Sequence, residues 1–332
     1  MKTGEDRLVR KITQALAFRG RSGLALGVGD DAALLQPRLG RQLVLTCDWF
    51  LEGSHFLRDK HPPDSIGWKC LARAVSDVGA MGGEPRYFLL SLALPETHTG
   101  KWLGGFLRGL ARAEKRLDCL LAGGDTTRNN KILINVTVIG DVPAGRAVLR
   151  SGAKPGDLIF VSGRLGEAEL GLRSLRSGRR VIQVNSNGWV KKHLYPEPRL
   201  ALGRWLAGKR LATAMMDLSD GLSTDLTRLV AASRVGARIA IDNIPKATLP
   251  KKKGRTVPGL TDLGLTELAL HGGDDYELLF TVRPKQAGAV PSSFFQGLPL
   301  SCIGEITRGR QLMLTGPEGL EEQLVARGWD PF

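Results

Sequence analysis

Short apolar runs in this chain stop repeatedly at a glycine beside a carboxylate, and this limits what the chain can become. The fullest case is Leu120-Leu121-Ala122-Gly123-Gly124-Asp125-Thr126-Thr127-Arg128, in which two glycines, an acid, two hydroxyls and an arginine follow an apolar segment. Related junctions occur at Gly27-Val28-Gly29-Asp30-Asp31, Thr46-Cys47-Asp48, Met216-Asp217-Leu218-Ser219-Asp220 and Gly272-Gly273-Asp274-Asp275. Glycine lets a backbone turn tightly and brings its N–H groups close to a ligand. The pattern therefore predicts buried strands that run into glycine turns carrying acids. An acid beside such a turn repels a phosphate unless a cation lies between them, which points to magnesium-bridged phosphate with Asp125 on the metal. For any one Asp, capping or turn duty is the ordinary role. It is the recurrence that favours metal: if the sheets bring Asp30, Asp31, Asp48, Asp77, Asp125, Asp217 and Asp220 together, they cannot all stay charged without cations.

Hydrophobic periodicity predicts helices over 5–18, 65–81, 99–117, 166–176, 198–208 and 221–233. Strands are expected over 25–28, 32–35, 42–47, 87–94, 119–122, 132–139, 158–162, 213–216, 238–241, 278–282, 301–305 and 311–314, with 132–139 closing the first sheet. Asp77 falls near the C-terminal end of its helix, where a carboxylate opposes the helix dipole unless a cation compensates. Pro143, Gly145, Gly152, Pro155 and Gly156 cluster around a boundary near residue 148. With 332 residues there is room for two domains, 1–148 and 149–332, each mixing helix and strand in an α/β (α+β) manner. The polar stretch up to about 187 and the Lys- and Pro-rich 246–258 read as loops.

A net charge of +14 and a pI near 10.0 raise nucleic-acid binding as an alternative. The basic residues are scattered, however, with short clusters only at 173–180 and 251–253, and no zinc-finger or RNA-binding motif accompanies them. A solvated basic surface that attracts anionic metabolites fits better than a nucleic-acid partner. Cys47, Cys70, Cys119 and Cys302 lie far apart, which matches a reducing cytoplasm and neither a zinc site nor a disulfide framework. No run approaches the roughly 18 apolar residues of a membrane span. The strings of P-loop enzymes, protein kinases, zinc proteases, serine hydrolases and Gly-x-Gly-x-x-Gly dinucleotide binders are all missing.

Taken together, these junctions resemble the thiamine-monophosphate kinase family, of the aminoimidazole-ribonucleotide synthetase and selenophosphate synthetase superfamily. Further strings that carry the resemblance are Gly53-Ser54-His55-Phe56, Ser76-Asp77-Val78-Gly79-Ala80-Met81-Gly82, Arg150-Ser151-Gly152-Ala153-Lys154-Pro155-Gly156-Asp157 and Gly273-Asp274-Asp275-Tyr276-Glu277-Leu278. They run nearly end to end, in the family order. The resemblance implies two domains of the superfamily's type, each a mixed sheet with helices packed on it, in a homodimer paired through the first domain. It also implies direct in-line transfer from ATP to thiamine monophosphate in a cleft lined by both halves. Asp31, Asp48, Asp77, Asp125 and Asp217 would then hold several Mg2+ ions, with Asp30, Thr46, Cys47 and Asp220 contributing and Asp48, Asp125 and Asp217 central to catalysis. Gly124, Asp125, Arg150 and Ser219 would meet the nucleotide, and His55, Asp274 and Trp329 the thiamine moiety. Another ATP-dependent synthetase of the superfamily is the alternative activity. Two departures stand out: Cys47 replaces a hydroxyl, leaving only its backbone carbonyl as a ligand, and Gly-Gly-Asp-Asp replaces Gly-Gly-Glu-Asp, shortening the acid at 274.

Overall fold

A computed structural model of the chain describes residues 4–16, 23–28, 32–177, 188–248 and 261–331. Asp30, Asp31, the stretch 178–187 and most of the expected loop at 246–258 lie outside the described residues. The chain divides into two compact units, one of residues 1–79 and 83–145 and the other of 80–82 and 146–332. Among the described residues, no helix is long and apolar enough to cross a membrane.

In the first unit, helices α1 (Gly4–Ala15), α2 (Pro63–Ala80) and α3 (Lys101–Leu117) accompany strands β1 (Leu24–Leu26), β2 (Leu34–Leu35), β3 (Arg41–Leu51), β4 (Glu84–Leu94), β5 (Leu120–Arg128) and β6 (Leu133–Pro143). The last four form one sheet in the order β3-β6-β4-β5, with β4 and β5 parallel and the other pairs antiparallel. Helix α2 starts on Pro63, whose missing N–H costs nothing in a first turn. Val44, Phe50, Phe88, Leu90, Val136 and Val138 are buried, as are Leu71, Val75 and Val78 of α2 and Leu103, Phe106 and Leu110 of α3. On β3 the intervening side chains Leu43, Leu45 and Trp49 are half or more exposed, a period of two that leaves an apolar stripe open.

Three expectations change here. The strand expected to end at Cys47 continues to Leu51, so Asp48 sits inside β3 and not at its end. Pairing with β6 in unbroken register from Arg41 to Leu51 carries it past the acid. The glycines at 123–124 make no turn, because β5 runs straight through them to Arg128. Lastly, β6 follows the other strands in sequence yet lies between β3 and β4, its apolar side chains needing cover on both flanks.

The second unit adds β7 (Leu158–Ser162), α4 (Glu167–Arg176), α5 (Gly188–Leu194), α6 (Leu200–Lys209), β8 (Ala212–Leu218), α7 (Leu222–Ser233), β9 (Gly236–Ala240), α8 (Asp262–His271), β10 (Glu277–Val282), β11 (Ser293–Phe294), β12 (Leu298–Thr307), β13 (Leu312–Thr315) and β14 (Glu321–Gln323). Its sheet runs β14-β13-β9-β12-β7-β10-β8, with β11 paired to β12. Every residue of β10 is buried, as expected of a strand covered on both faces. One apolar cluster includes Met216, Leu222, Leu226 and Leu279, and a second includes Leu202, Leu206, Met215 and Phe280. Helices α5 and α8 were not expected from periodicity, and both are short.

Helices α2 and α3 cross at backbone contact. A β-carbon on Gly109 would lie 1.7 Å from the Asp64 carbonyl oxygen, so any side chain there forces the helices apart. Gly109→Ala should therefore lower unfolding free energy by about 1–3 kcal/mol, the usual cost of overpacking. Urea titration would read this as a lower midpoint at constant slope, and an unmoved midpoint would contradict the packing described.

Candidate functional site

Strand β5 carries Asp125 on an ordered strand because of one missing atom. Gly124 has φ of +155°, and a β-carbon on it would lie 2.0 Å from the Leu90 carbonyl oxygen of β4. Glycine therefore serves close backbone approach here and not reversal of the chain. Gly124 pairs with Leu90 and Asp125 with Ser91, past a bulge at Phe88/Leu89. Asp125 is exposed, with Oδ1 accepting the Thr126 N–H at 2.8 Å. It borders a cleft lined by Val9, Ile12, Leu90 and Leu121. The Thr126 hydroxyl oxygen is buried there with no hydrogen-bond partner among the described residues.

Thr46 and Asp48 are two apart on β3 and share a face. Thr46 Oγ1 donates to Asp77 Oδ2 at 2.5 Å, which ties that face to the last turn of α2. Cys47 points to the other face, where its Sγ lies 3.2 Å from Asn135 Nδ2 and 3.5 Å from Thr137 Oγ1. Its thiol is thus turned away from Asp77. Asp125 stands on β5, at the opposite edge of the same sheet from β3. His55 sits in a tight loop, Nδ1 accepting from the Leu51 N–H at 3.0 Å.

In the second unit two acid-bearing loops lie side by side. Asp217, buried on β8, pairs with Leu278 of β10, and the N–H groups of Asp274 and Tyr276 donate to the carbonyls of Ser219 and Leu218, each at 2.8 Å. Asp274 has φ of +68°, and its Oδ1 accepts from the Tyr276 hydroxyl at 2.8 Å. Trp329 joins them, its N–H donating to the Asp220 carbonyl at 2.9 Å. Asp217, Ser219, Asp220, Asp274 and Trp329 are thus gathered. Arg150 is not: its exposed guanidinium pairs with no acid among the described residues, and its carbonyl accepts from Ser233 at the far end of α7. The Arg150 backbone thus lies at the opposite end of that 12-residue helix from Ser219.

Several supporting residues escaped sequence reading. Asp225 Oδ2 accepts both the Ser219 and Asp220 N–H groups, at 3.1 and 3.0 Å, and Arg228 bridges the Asp225 and Asp220 carboxylates. Burial, aided by the nearby Asp220 charge, pushes the Asp225 carboxyl up to about 7. Burial likewise lifts Asp275 to about 7, although Lys192 and the N–H groups of Gly166 and Ala168 at the start of α4 oppose it. Glu277 is fully buried, held by Ser162 Oγ at 2.6 Å, Lys192 Nζ at 3.0 Å and Arg199 Nε at 2.7 Å. Burial alone would raise its pKa, but the two cations hold it below the ordinary value. The available signal was a charged residue opening an otherwise apolar strand, which requires counter-ions.

Among the described residues, no group of three or more His, Cys, Asp or Glu side chains comes close enough to share one ion. The donors present are still of the right kind for magnesium, being carboxylate and hydroxyl oxygens in both units and the orphaned Thr126 oxygen in the first.

Comparison with known proteins adds the following. The family profiles for AIR synthase related protein match residues 29–142 with the N-terminal domain and 154–316 with the C-terminal domain. A thiamine-monophosphate kinase from Salmonella typhimurium is 36% identical over 334 residues, covering 100% of this chain and 99% of that protein. The crystal structure of thiamine-monophosphate kinase from Stenotrophomonas maltophilia is 36% identical with a TM-score of 0.79, covering 95% of each chain. AaThiL complexed with AMPPCP and TMP is 31% identical with a TM-score of 0.76, covering 100% of this chain and 99% of its own.

Replacing Glu277 with Gln removes the buried carboxylate that Lys192 and Arg199 share, leaving Lys192 with only its longer pair to Glu167 at 3.4 Å. Breaking a buried pair costs about 3–5 kcal/mol, and the side chains of Lys192 and Arg199 retain 16% and 22% exposure, which favours the lower end. Because the folded pKa is depressed, this stabilisation is complete above the ordinary glutamate value and fades as pH falls through the folded one. Wild type and Glu277→Gln should differ by roughly 3 kcal/mol in chemical denaturation at neutral pH and converge in acid. A gap that persists unchanged at acid pH would contradict the assignment.

Proposed function

This chain belongs to the thiamine-monophosphate kinase family, and from that premise we propose that it transfers the γ-phosphoryl group of ATP to thiamine monophosphate, giving thiamine diphosphate and ADP. The observation that carries the reading is the end-to-end match to kinases of this name, one of them complexed with AMPPCP and TMP.

The acceptor is a phosphate monoester, largely dianionic at neutral pH, so its oxygen can attack without a general base. Repulsion between acceptor and donor phosphates is then the main barrier to approach, and catalysis rests on charge neutralisation and in-line alignment. Asp48, Asp77 and Asp125 with the Thr46 hydroxyl and Cys47 carbonyl on the first unit, Asp217 and Asp220 on the second, and Asp30 and Asp31 would hold magnesium. These residues would place divalent positive charge at the nucleotide phosphates, which would offset the charge that develops on the transferring group. The backbone at Gly124, the Ser219 hydroxyl and the Arg150 guanidinium bind the nucleotide, Arg150 contributing positive charge where no acid offsets it. Asp274 meets the cationic thiazolium, Trp329 offers a flat aromatic face to the rings, and His55 completes the acceptor pocket.

Under this reading the first domain, 1–148, would carry metal, nucleotide and dimer contacts, and 149–332 would add nucleotide and acceptor contacts. The exposed stripe of Leu43, Leu45 and Trp49 supports pairing with a second copy, since apolar patches of this kind mark interaction surfaces. The four free cysteines support a reducing cytoplasm.

Purified protein with ATP, magnesium and thiamine monophosphate should form thiamine diphosphate. Asp125→Asn should reduce turnover by about 10³-fold or more, as loss of a charge-stabilising group does, while thermal unfolding stays put. Turnover within twofold of wild type in that variant would remove Asp125 from its role.

A further inference from the structure

Beyond Gln323 the described residues form neither helix nor strand, yet their backbone follows a defined course across the start of α7. Three consecutive N–H groups are captured there. That of Arg327 donates to Ser223 Oγ at 3.4 Å, that of Gly328 to Thr224 Oγ1 at 3.0 Å, and that of Trp329 to the Asp220 carbonyl at 2.9 Å. Ser223 is in turn fixed by His271 Nδ1 at 2.8 Å. The Arg327 side chain closes the clip from outside, its Nη2 lying 2.8 Å from His271 Nε2 and 3.2 Å from Glu267 Oε2. The fit leaves no slack: a β-carbon on Gly328 would lie 2.0 Å from the Asp220 carbonyl oxygen and 2.6 Å from Thr224 Oγ1.

This arrangement goes further than closing the core. Leu324 anchors the tail in the core, but Val325 and Arg327 are exposed and Trp329 is 44% exposed, so apolar burial accounts for the tail's course only in part. The hydrogen bonds fix the Trp329 backbone against the loop that holds Ser219 and Asp220, which is itself bonded to the one that holds Asp274. We propose that Thr224, with Ser223, is a positioning residue that clips the tail onto α7 and so holds Trp329 where it meets the flat, cationic ring system of the acceptor. The clip sets acceptor affinity and leaves nucleotide binding and the transfer step alone. The proposal rests on the reading that Trp329 contacts the acceptor.

The test uses the full chain with three variants, Thr224→Val, Thr224→Ser and Trp329→Ala. Thiamine monophosphate is varied at saturating ATP and ATP at saturating thiamine monophosphate, while amide exchange is followed in the C-terminal peptide. Thr224→Val keeps the shape and removes the acceptor oxygen, so KM for thiamine monophosphate should rise about fivefold. In that variant kcat and the KM for ATP should stay within twofold of wild type, and faster exchange should be confined to the tail. Thr224→Ser restores the oxygen and should restore both readouts, which a role in packing alone would not do. Trp329→Ala should raise the acceptor KM at least as much. An unchanged acceptor KM in Thr224→Val, alongside a raised one in Trp329→Ala, would overturn the clip and leave the acceptor reading standing. An unchanged acceptor KM in Trp329→Ala would overturn the reading of Trp329 and the proposal with it. Equal defects in the Val and Ser variants would also overturn it, because the hydroxyl would then be irrelevant.

Discussion

A side chain at position 124 would drive into the Leu90 carbonyl and part β5 from β4. The absence of one there governs the first unit's chemistry, because it lets the strand continue through the glycines and present Asp125 from an ordered ladder. Sites built on strands hold their geometry more tightly than sites on loops, and phosphoryl transfer depends on such alignment. The bulge at Phe88/Leu89 belongs to the same device, since an extra residue in one strand re-aims the side chains beyond it. On the opposite edge of this sheet, β3 gives Thr46 and Asp48 to one face and leaves Leu43, Leu45 and Trp49 open.

The second unit fixes its acids by another route. Loops 218–221 and 272–276 are tied by backbone hydrogen bonds to each other and by the buried Asp225 carboxylate to the start of α7. Charge is buried here at a cost: Asp225 and Asp275 are both pushed toward neutrality, and Glu277 keeps its charge only because Lys192 and Arg199 close over it. Apolar residues of similar volume would do as well for stability alone. What the polar network adds is a defined backbone at Ser219 and Asp220, each restrained by hydrogen bonds from more than one element, with Asp274 held through Ser219.

Much of this was legible beforehand, for identifiable reasons. Strand β7 was placed at 158–162 because a β-branched apolar run is bounded there by Asp157 and Gly163, and α2 because Pro63 and Asp64 announce a first turn. The glycine–acid junctions pointed to the right residues through partly wrong geometry. Gly123-Gly124 reads as a turn in one dimension, whereas the need for close approach to β4 exists only once the sheet has formed. Asp48 was placed at a strand end because an acid interrupts the apolar run there, although Trp49 and Phe50 are strand formers and pairing with β6 carries the strand on to Leu51. Helix α5 and the partners of Glu277 were hidden because a buried ion pair between residues 78 and 85 apart leaves no local pattern.

The account turns on acids that bind nucleotide through a divalent ion. Calorimetric titration of the wild-type protein with ATP, in magnesium and then in excess chelator, addresses this most directly. Binding at least tenfold tighter with magnesium is the predicted result. Equal ATP affinity in chelator would contradict it, since carboxylates facing a polyphosphate without a cation repel it.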